Sequence, residues 1–137
     1  MRNPGRRYEG FTVVELMVVL AIIMILAGLL LTTAWGARQK ALQTYCLNNI
    51  RQLAVSEIGG GLGQAGACPA GCTYARNAYI HDLRSINDTS RTVLYFESDG
   101  VSSGTAVDVV KWHLGGANYA FCDGHAKWSV ETPSFRP

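Results

Sequence analysis

The sequence predicts an α+β fold, a long N-terminal helix packed on a small antiparallel β-sheet, and three observations predict it. Between Phe11 and Ile58 there is no proline and only two glycines, Gly28 and Gly36, so little interrupts a helix there. After Gly59-Gly60-Gly61 the chain turns into short β-branched and aromatic runs punctuated by turn residues. One such turn is Asp123-Gly124 between apolar runs, a strong hairpin signal because both residue types tolerate φ > 0. Helix and strands are thus segregated along the chain, which is the α+β arrangement.

The 137 residues allow one small domain and an anchor. They divide into a short basic segment (1–10), a membrane-length apolar segment (11–34), an amphipathic helical continuation (35–58) and a small β-rich domain (59–137). Leu16 to Leu31 is a run of sixteen uncharged residues, and a single carboxylate, Glu15, stands at its head. An unpaired charge in hydrocarbon costs about 2.5–3.5 kcal/mol on insertion scales, so such an acid points to a function and to a positively charged partner. Trp35 stands at the outer end of the run, where an indole suits the membrane interface.

In the continuation, Ala41, Leu42, Tyr45, Cys46, Asn49, Leu53 and Ile58 recur at helical spacing and form the stripe expected to hold the domain. The stretch from Gly59 to Gly71 reads as loop, and Tyr74 to Leu83 is of undecided type. Asn87-Asp88 is a polar turn. Arg91–Glu97 reads as a strand, Ser98–Thr105 as a flexible turn, Val107–Trp112 as a further strand, and Asn118–Cys122 with Ala126–Val130 as the hairpin. Trp112 and Trp128 read as core, His81 as a surface residue.

The net charge is +2, and Arg2, Arg6, Arg7 and Glu9 account for all of it. The remainder is formally neutral, so no nucleic-acid partner is expected. Basic residues before the apolar run predict an N-terminus on the cytoplasmic side and a globular part outside the cytoplasm. A cleavable secretory signal is the competing reading, with small residues at Ala27-Gly28 or Thr33-Ala34 for the cut; the long apolar run that continues into a helical pattern favours the anchor.

Gly10-Phe11-Thr12-Val13-Val14-Glu15-Leu16 resembles the leader junction of type IV prepilins and type II secretion pseudopilins. The resemblance implies a pilin-like fold, cleavage by prepilin peptidase after Gly10, methylation of the new Phe11 amine, and pairing of Glu15 with the N-terminus of a neighbouring subunit. It implies a structural subunit in the inner membrane that assembles with copies of itself or other pilins. Thr32 stands where many pilins carry proline, so a kink there is not implied. The alternative function is a pilin-anchored binding module outside the cytoplasm, with metal dependence as one form of it.

His113, followed by nine residues and Asp123-Gly124-His125, together with Tyr45 to Leu53 near the helix end, resembles the processing-associated H-X9-DG domain attached to some prepilin-type anchors. Two readings stand for His113, Asp123 and His125. They could ligate a metal, with Glu97 or Asp99 completing the set, since imidazoles and a carboxylate suit zinc. Alternatively, Asp123 caps the turn and His113 hydrogen-bonds backbone in the Gly115-Gly116 loop. No nucleophile with an evident base is readable, so neither an enzyme nor a bound cofactor is expected.

Cys68-Pro69-Ala70-Gly71-Cys72 is a CxxxC loop, and an exported domain favours disulfides. A local Cys68–Cys72 bond is the first choice. Cys46 and Cys122 then pair with each other or stay free, and a redox or zinc role for the CxxxC is the other reading.

Overall fold

In the computed structural model of the protein, residues 10–61, 63–64 and 66–136 are described; the basic leader expected over 1–10 lies outside them except for Gly10. The chain divides into two compact units, Met1–Ala37 and Arg38–Pro137.

The first unit is the apolar part of helix α1 (Val13–Ile58). Thr12-Val13-Val14-Glu15 opens the helix as a capping box, in which hydroxyl and carboxylate satisfy backbone N–H groups reciprocally. From Val13 to Thr33 the rise is about 31 Å at 1.5 Å per residue, matching a hydrocarbon core of about 30 Å. Its large side chains face outward all round, among them Val13, Leu20, Ile25 and Leu30. Among the described residues α1 is the one helix long and apolar enough to cross a membrane. Thr32 and Thr33 donate their hydroxyls to the carbonyls of Leu29 and Leu30 (2.9 and 3.0 Å), so neither leaves a free polar group at the end of the span.

In the second unit, the remainder of α1 buries Gln43, Cys46, Asn49, Ile50, Leu53 and Ala54. This corrects the expected stripe. Cys46, Asn49 and Leu53 hold, but Tyr45 and Ile58 are exposed, and Gln43, Ile50 and Ala54 take inward positions. The helix face differs from the expected one because Ile50 and Ala54 pack in the cluster against the sheet, while Tyr45 stays half-exposed. Gly60, at φ +78°, ends α1. Gly61 N–H reaches Ser56 O (2.8 Å) and Gly60 N–H reaches Glu57 O (3.0 Å), the paired bonds of a Schellman stop.

Five strands follow: β1 (Thr73–Asn77), β2 (Val93–Ser98), β3 (Ser103–Gly104), β4 (Ala117–Phe121) and β5 (Ala126–Ser129). Their order across the sheet is β3-β1-β2-β4-β5. The pairs β1–β2, β2–β4 and β4–β5 are antiparallel, and β1–β3 is parallel. The sheet is therefore mixed at one edge, where a wholly antiparallel one was expected. After β2 the chain reverses near Gly100 (φ +77°) and crosses to the far side of β1, so β3 runs in the direction of β1. The segment expected to be a flexible turn thereby supplies a short edge strand.

Val107–Trp112 is not a ladder strand. Thr105 and Asp108 form a capping box over the 3-10 helix Ala106–Asp108, after which Val109 makes only an isolated bridge to Ser98. That local cap overrides the β-branched composition, leaving Val107 and Trp112 exposed; the core assignment for Trp112 is corrected accordingly. Trp128 is half-buried.

Two apolar clusters hold the unit. Ile50 and Ala54 of α1 meet Leu94, Ala120, Ile80 and Cys122 on one face of the sheet. Val93, Phe96, Tyr119 and Phe121 pack with Phe135 of the C-terminal segment on the other. A register shift between Val93 and Tyr95 turns Leu94 and Tyr95 to the same, helix-facing side, as a bulge does. Glu97 then also faces the helix.

Candidate functional site

Two places carry unusual chemistry. The first is the N-terminal junction. Gly10 and Phe11 precede the helix in an exposed, non-helical stretch, with Phe11 84% accessible. Glu15 Oε2 accepts from Thr12 N–H (2.8 Å) and from the Thr12 hydroxyl (2.7 Å), while Glu15 N–H donates to Thr12 Oγ1 (3.3 Å). Both carboxylate bonds fall on Oε2; among the described residues Oε1 takes none. The charge is half-engaged at the positive end of the helix dipole, and one oxygen is left for another donor.

The second is buried between the helix and one end of the sheet. Cys46 comes from α1, Cys68 and Cys72 from the loop before β1, Glu97 from β2 and His113 from the segment entering β4. One donor atom from each of the five lies within 4.8 Å of the other four. Cys68 and Cys72 are disulfide-bonded, with Cα atoms 5.5 Å apart, as expected. Cys46 Sγ sits 2.8 Å from Cys68 Sγ, and Cys72 Sγ lies 3.7 Å from Glu97 Oε1. Cys46 and Cys122 are both free and buried, so they do not pair; Cys122 packs in the apolar cluster with Ile50 and Ala54.

Glu97 is completely buried. Its Oε2 accepts Asn118 N–H and its Oε1 accepts Asn118 Nδ2, both at 2.9 Å. Burial pushes its carboxyl up to about 7, although the Asn118 bonds act in the opposite sense. His113 Nε2 stands 3.2 Å from Glu97 Oε1, yet off the line a hydrogen bond needs, so Nε2 has no hydrogen-bond partner. The imidazole is 1% exposed, and burial lowers its basicity. Burial likewise raises the Cys46 thiol.

Local chain geometry aims His113. The peptide groups of His113 and Gly116 exchange hydrogen bonds (3.1 and 3.0 Å), and the intervening Leu114 and Gly115 both have positive φ, +53° and +77°, as a type I′ turn demands. Trp128 Nε1 donates to His113 O at 2.9 Å. The expected backbone bonding near Gly115-Gly116 is therefore made by the His113 main chain, leaving the ring to point at Glu97.

The candidate set His113, Glu97, Asp123 and His125 separates into two pairs. His113 and Glu97 meet in the cluster. Asp123 and His125 pair at the hairpin tip, with His125 Nδ1 2.6 Å from Asp123 Oδ1 and the His125 N–H on the same oxygen at 3.0 Å. His125 stacks on Phe121 at 4.2 Å. Asp123 thus serves the turn, which closes with Gly124 N–H on Phe121 O (3.0 Å) and Gly124 at φ +88°. Asp99 is not among the clustered residues. The nine residues separating His113 from Asp123 are the tight turn, strand β4 and Cys122, so the spacing is the length of one strand between two turns.

Pattern reading did not place Cys46 with these donors. It counted as one member of an apolar stripe, and its neighbours in the cluster lie in loops and strands. Four cysteines and three histidines in a short chain were the available signal.

No curated protein and no solved structure matches the chain. Residues 5–31 match the family described as the prokaryotic N-terminal methylation motif, a segment that holds Gly10, Phe11, Glu15 and most of the apolar run. With the exposed junction and the pilin-like layout of helix and sheet, that match supports a type IV pilin-like precursor, for which the motif implies processing by prepilin peptidase.

Proposed function

We propose that the chain is a structural subunit of a filament of the type IV pilus or type II secretion pseudopilus class. It is cut after Gly10, methylated on Phe11 and held in the inner membrane by α1 until assembly. Arg6 and Arg7 before the span favour a domain outside the cytoplasm. The likeness of residues 113–125 to the H-X9-DG domain belongs to the same reading.

The observation that carries this reading is the head of α1. An apolar cylinder with no polar face suits both bilayer and filament core, and packing against identical helices exchanges one apolar surrounding for another. Glu15 breaks that surface once, and among the described residues its Oε1 takes no hydrogen bond. After cleavage the Phe11 amine of an adjacent subunit is a donor of matching charge. The pair gains from the low dielectric and pays desolvation, so losing one partner is more harmful than losing both.

The test is Glu15→Ala in the full-length chain. Cleavage, read by intact mass, continues, and the protein disappears from the sheared filament fraction. Incorporation at the wild-type level would overturn the proposal.

A further inference from the structure

We propose that Cys46, Cys68, Cys72 and His113 form a four-coordinate site for a zinc-type divalent ion, with Glu97 beside it as a neighbouring carboxylate. The site lies in the second unit and is independent of the N-terminal junction.

Convergence is the first argument. Donor atoms from α1, the loop before β1, β2 and the entry to β4 come within 4.8 Å of one another, although Cys46 and His113 are 67 positions apart in the sequence. All five side chains are at least nine-tenths buried. Thiol, imidazole and carboxyl groups are costly to remove from water without partners, and hydrophobic packing alone has no reason to gather them. A disulfide engages only two of the sulfurs. It leaves unexplained why Cys46 Sγ lies 2.8 Å from Cys68 Sγ in a fully buried position.

The second argument is the imidazole. His113 Nε2 is buried, directed at the cluster and without a hydrogen-bond partner. A ring nitrogen with an available lone pair among three sulfurs is what a metal ligand requires. Cys3His is a recurrent donor set for structural zinc, where all four positions come from protein and the ion is closed from water. Soft thiolates select zinc over calcium or magnesium.

Charge assigns Glu97 its place. Three thiolates and a neutral imidazole around a divalent ion already leave one net negative charge. A fifth, anionic ligand would add to it, and Glu97 is occupied on both oxygens by Asn118. It therefore stays outside the coordination sphere.

Metal loading uses Cys68 and Cys72 as thiols. From the disulfide form, an external dithiol reductant first supplies two electrons and two protons, is itself oxidised to its disulfide, and leaves Cys68 and Cys72 as thiols. Each of the three thiols then gives up its proton as the sulfur–metal bond forms, with no further electron transfer. The ion and the Cys68–Cys72 bond are thus mutually exclusive uses of the same sulfurs. Either one staples the loop, but only the ion ties it to α1 through Cys46 and to β4 through His113. A domain of this size gains from such a staple.

The experiment uses the full-length protein in detergent, reduced, equilibrated with zinc(II) and freed of unbound metal. Elemental analysis is expected to give about one zinc per chain. Replacement by cobalt(II) is expected to give thiolate-to-metal absorption with the visible bands of a tetrahedral ion. Cys46→Ser and His113→Ala are each expected to weaken zinc at least about tenfold, whereas Cys122→Ser, in the apolar cluster, retains it. Zinc well below one per chain, cobalt bound without thiolate absorption, or both ligand variants binding like the wild type would overturn the site. The cobalt spectrum of the unmutated chain keeps the test decisive even where a variant fails to fold.

Discussion

Thr12 and Glu15 cap one another at the head of the helix. The carboxylate takes the Thr12 N–H and hydroxyl on a single oxygen, and the threonine oxygen takes the Glu15 N–H. The cap that starts the helix therefore begins one residue after Phe11 and includes Glu15, the carboxylate proposed above to pair in assembly. The carboxylate is oriented within its own chain.

Thr12→Val tests that orientation. It removes two of the three bonds and keeps the charge, and loss of such a cap costs about 1 kcal/mol. Incorporation into filaments should fall, but less than in Glu15→Ala, with cleavage unchanged by mass. If the two variants were equally defective, the cap rather than the charge would be the essential feature.

Gly116 is a packing requirement. A Cβ there would meet Ser129 O at 2.6 Å and the Trp128 ring at 2.7 Å. The Trp128 side chain is the one whose Nε1 donates to His113 O. Gly116→Ala should destabilise the second unit by about 1–3 kcal/mol, the usual cost of overpacking, seen as a lower Tm of the full chain. An unchanged Tm would mean that Trp128 moves freely aside.

Leu114 works against its own conformation. Its φ of +53° costs a non-glycine residue roughly 1–2 kcal/mol, and its side chain is 47% exposed, so little burial offsets this. Leu114→Asn makes Asn-Gly, the preferred type I′ pair. Stability should rise by about 1 kcal/mol, or several degrees in Tm for a unit of this size. A fall in Tm would show that the leucine makes contacts worth more than the strain.

Cys122 should be inert in the native chain. Burial pushes its thiol up to about 11, and the negative charges of Glu57 and Asp123 act in the same direction. At neutral pH iodoacetamide is expected to leave Cys122 unmodified until denaturant is added, as peptide mapping would report. Labelling of the native chain at the rate of an exposed cysteine contradicts this packing.

The elements legible in the sequence were those with a local physical cause. The unbroken helix follows from missing proline, its end from consecutive glycines, the last hairpin from Asp123-Gly124, and the Cys68–Cys72 bond from a short separation. Val107–Trp112 misled because composition indicated a strand while Thr105 and Asp108 supplied a competing cap. Only the tertiary arrangement revealed the helix face, since Ile50 and Ala54 pack against the sheet while Tyr45 is exposed, a choice that helical spacing alone does not make.

By itself, then, the sequence determined the membrane-length helix, the N-terminal methylation motif and the α+β order, because each rests on adjacent residues. The tertiary structure decided which candidate ligands meet. Asp123 and His125 are bound to each other by the hairpin turn, while His113, aimed by Leu114-Gly115, is brought to Glu97 and three cysteines. That grouping depends on sheet order, the β2 bulge and helix rotation together, and long-range register of this kind leaves no short pattern in a chain.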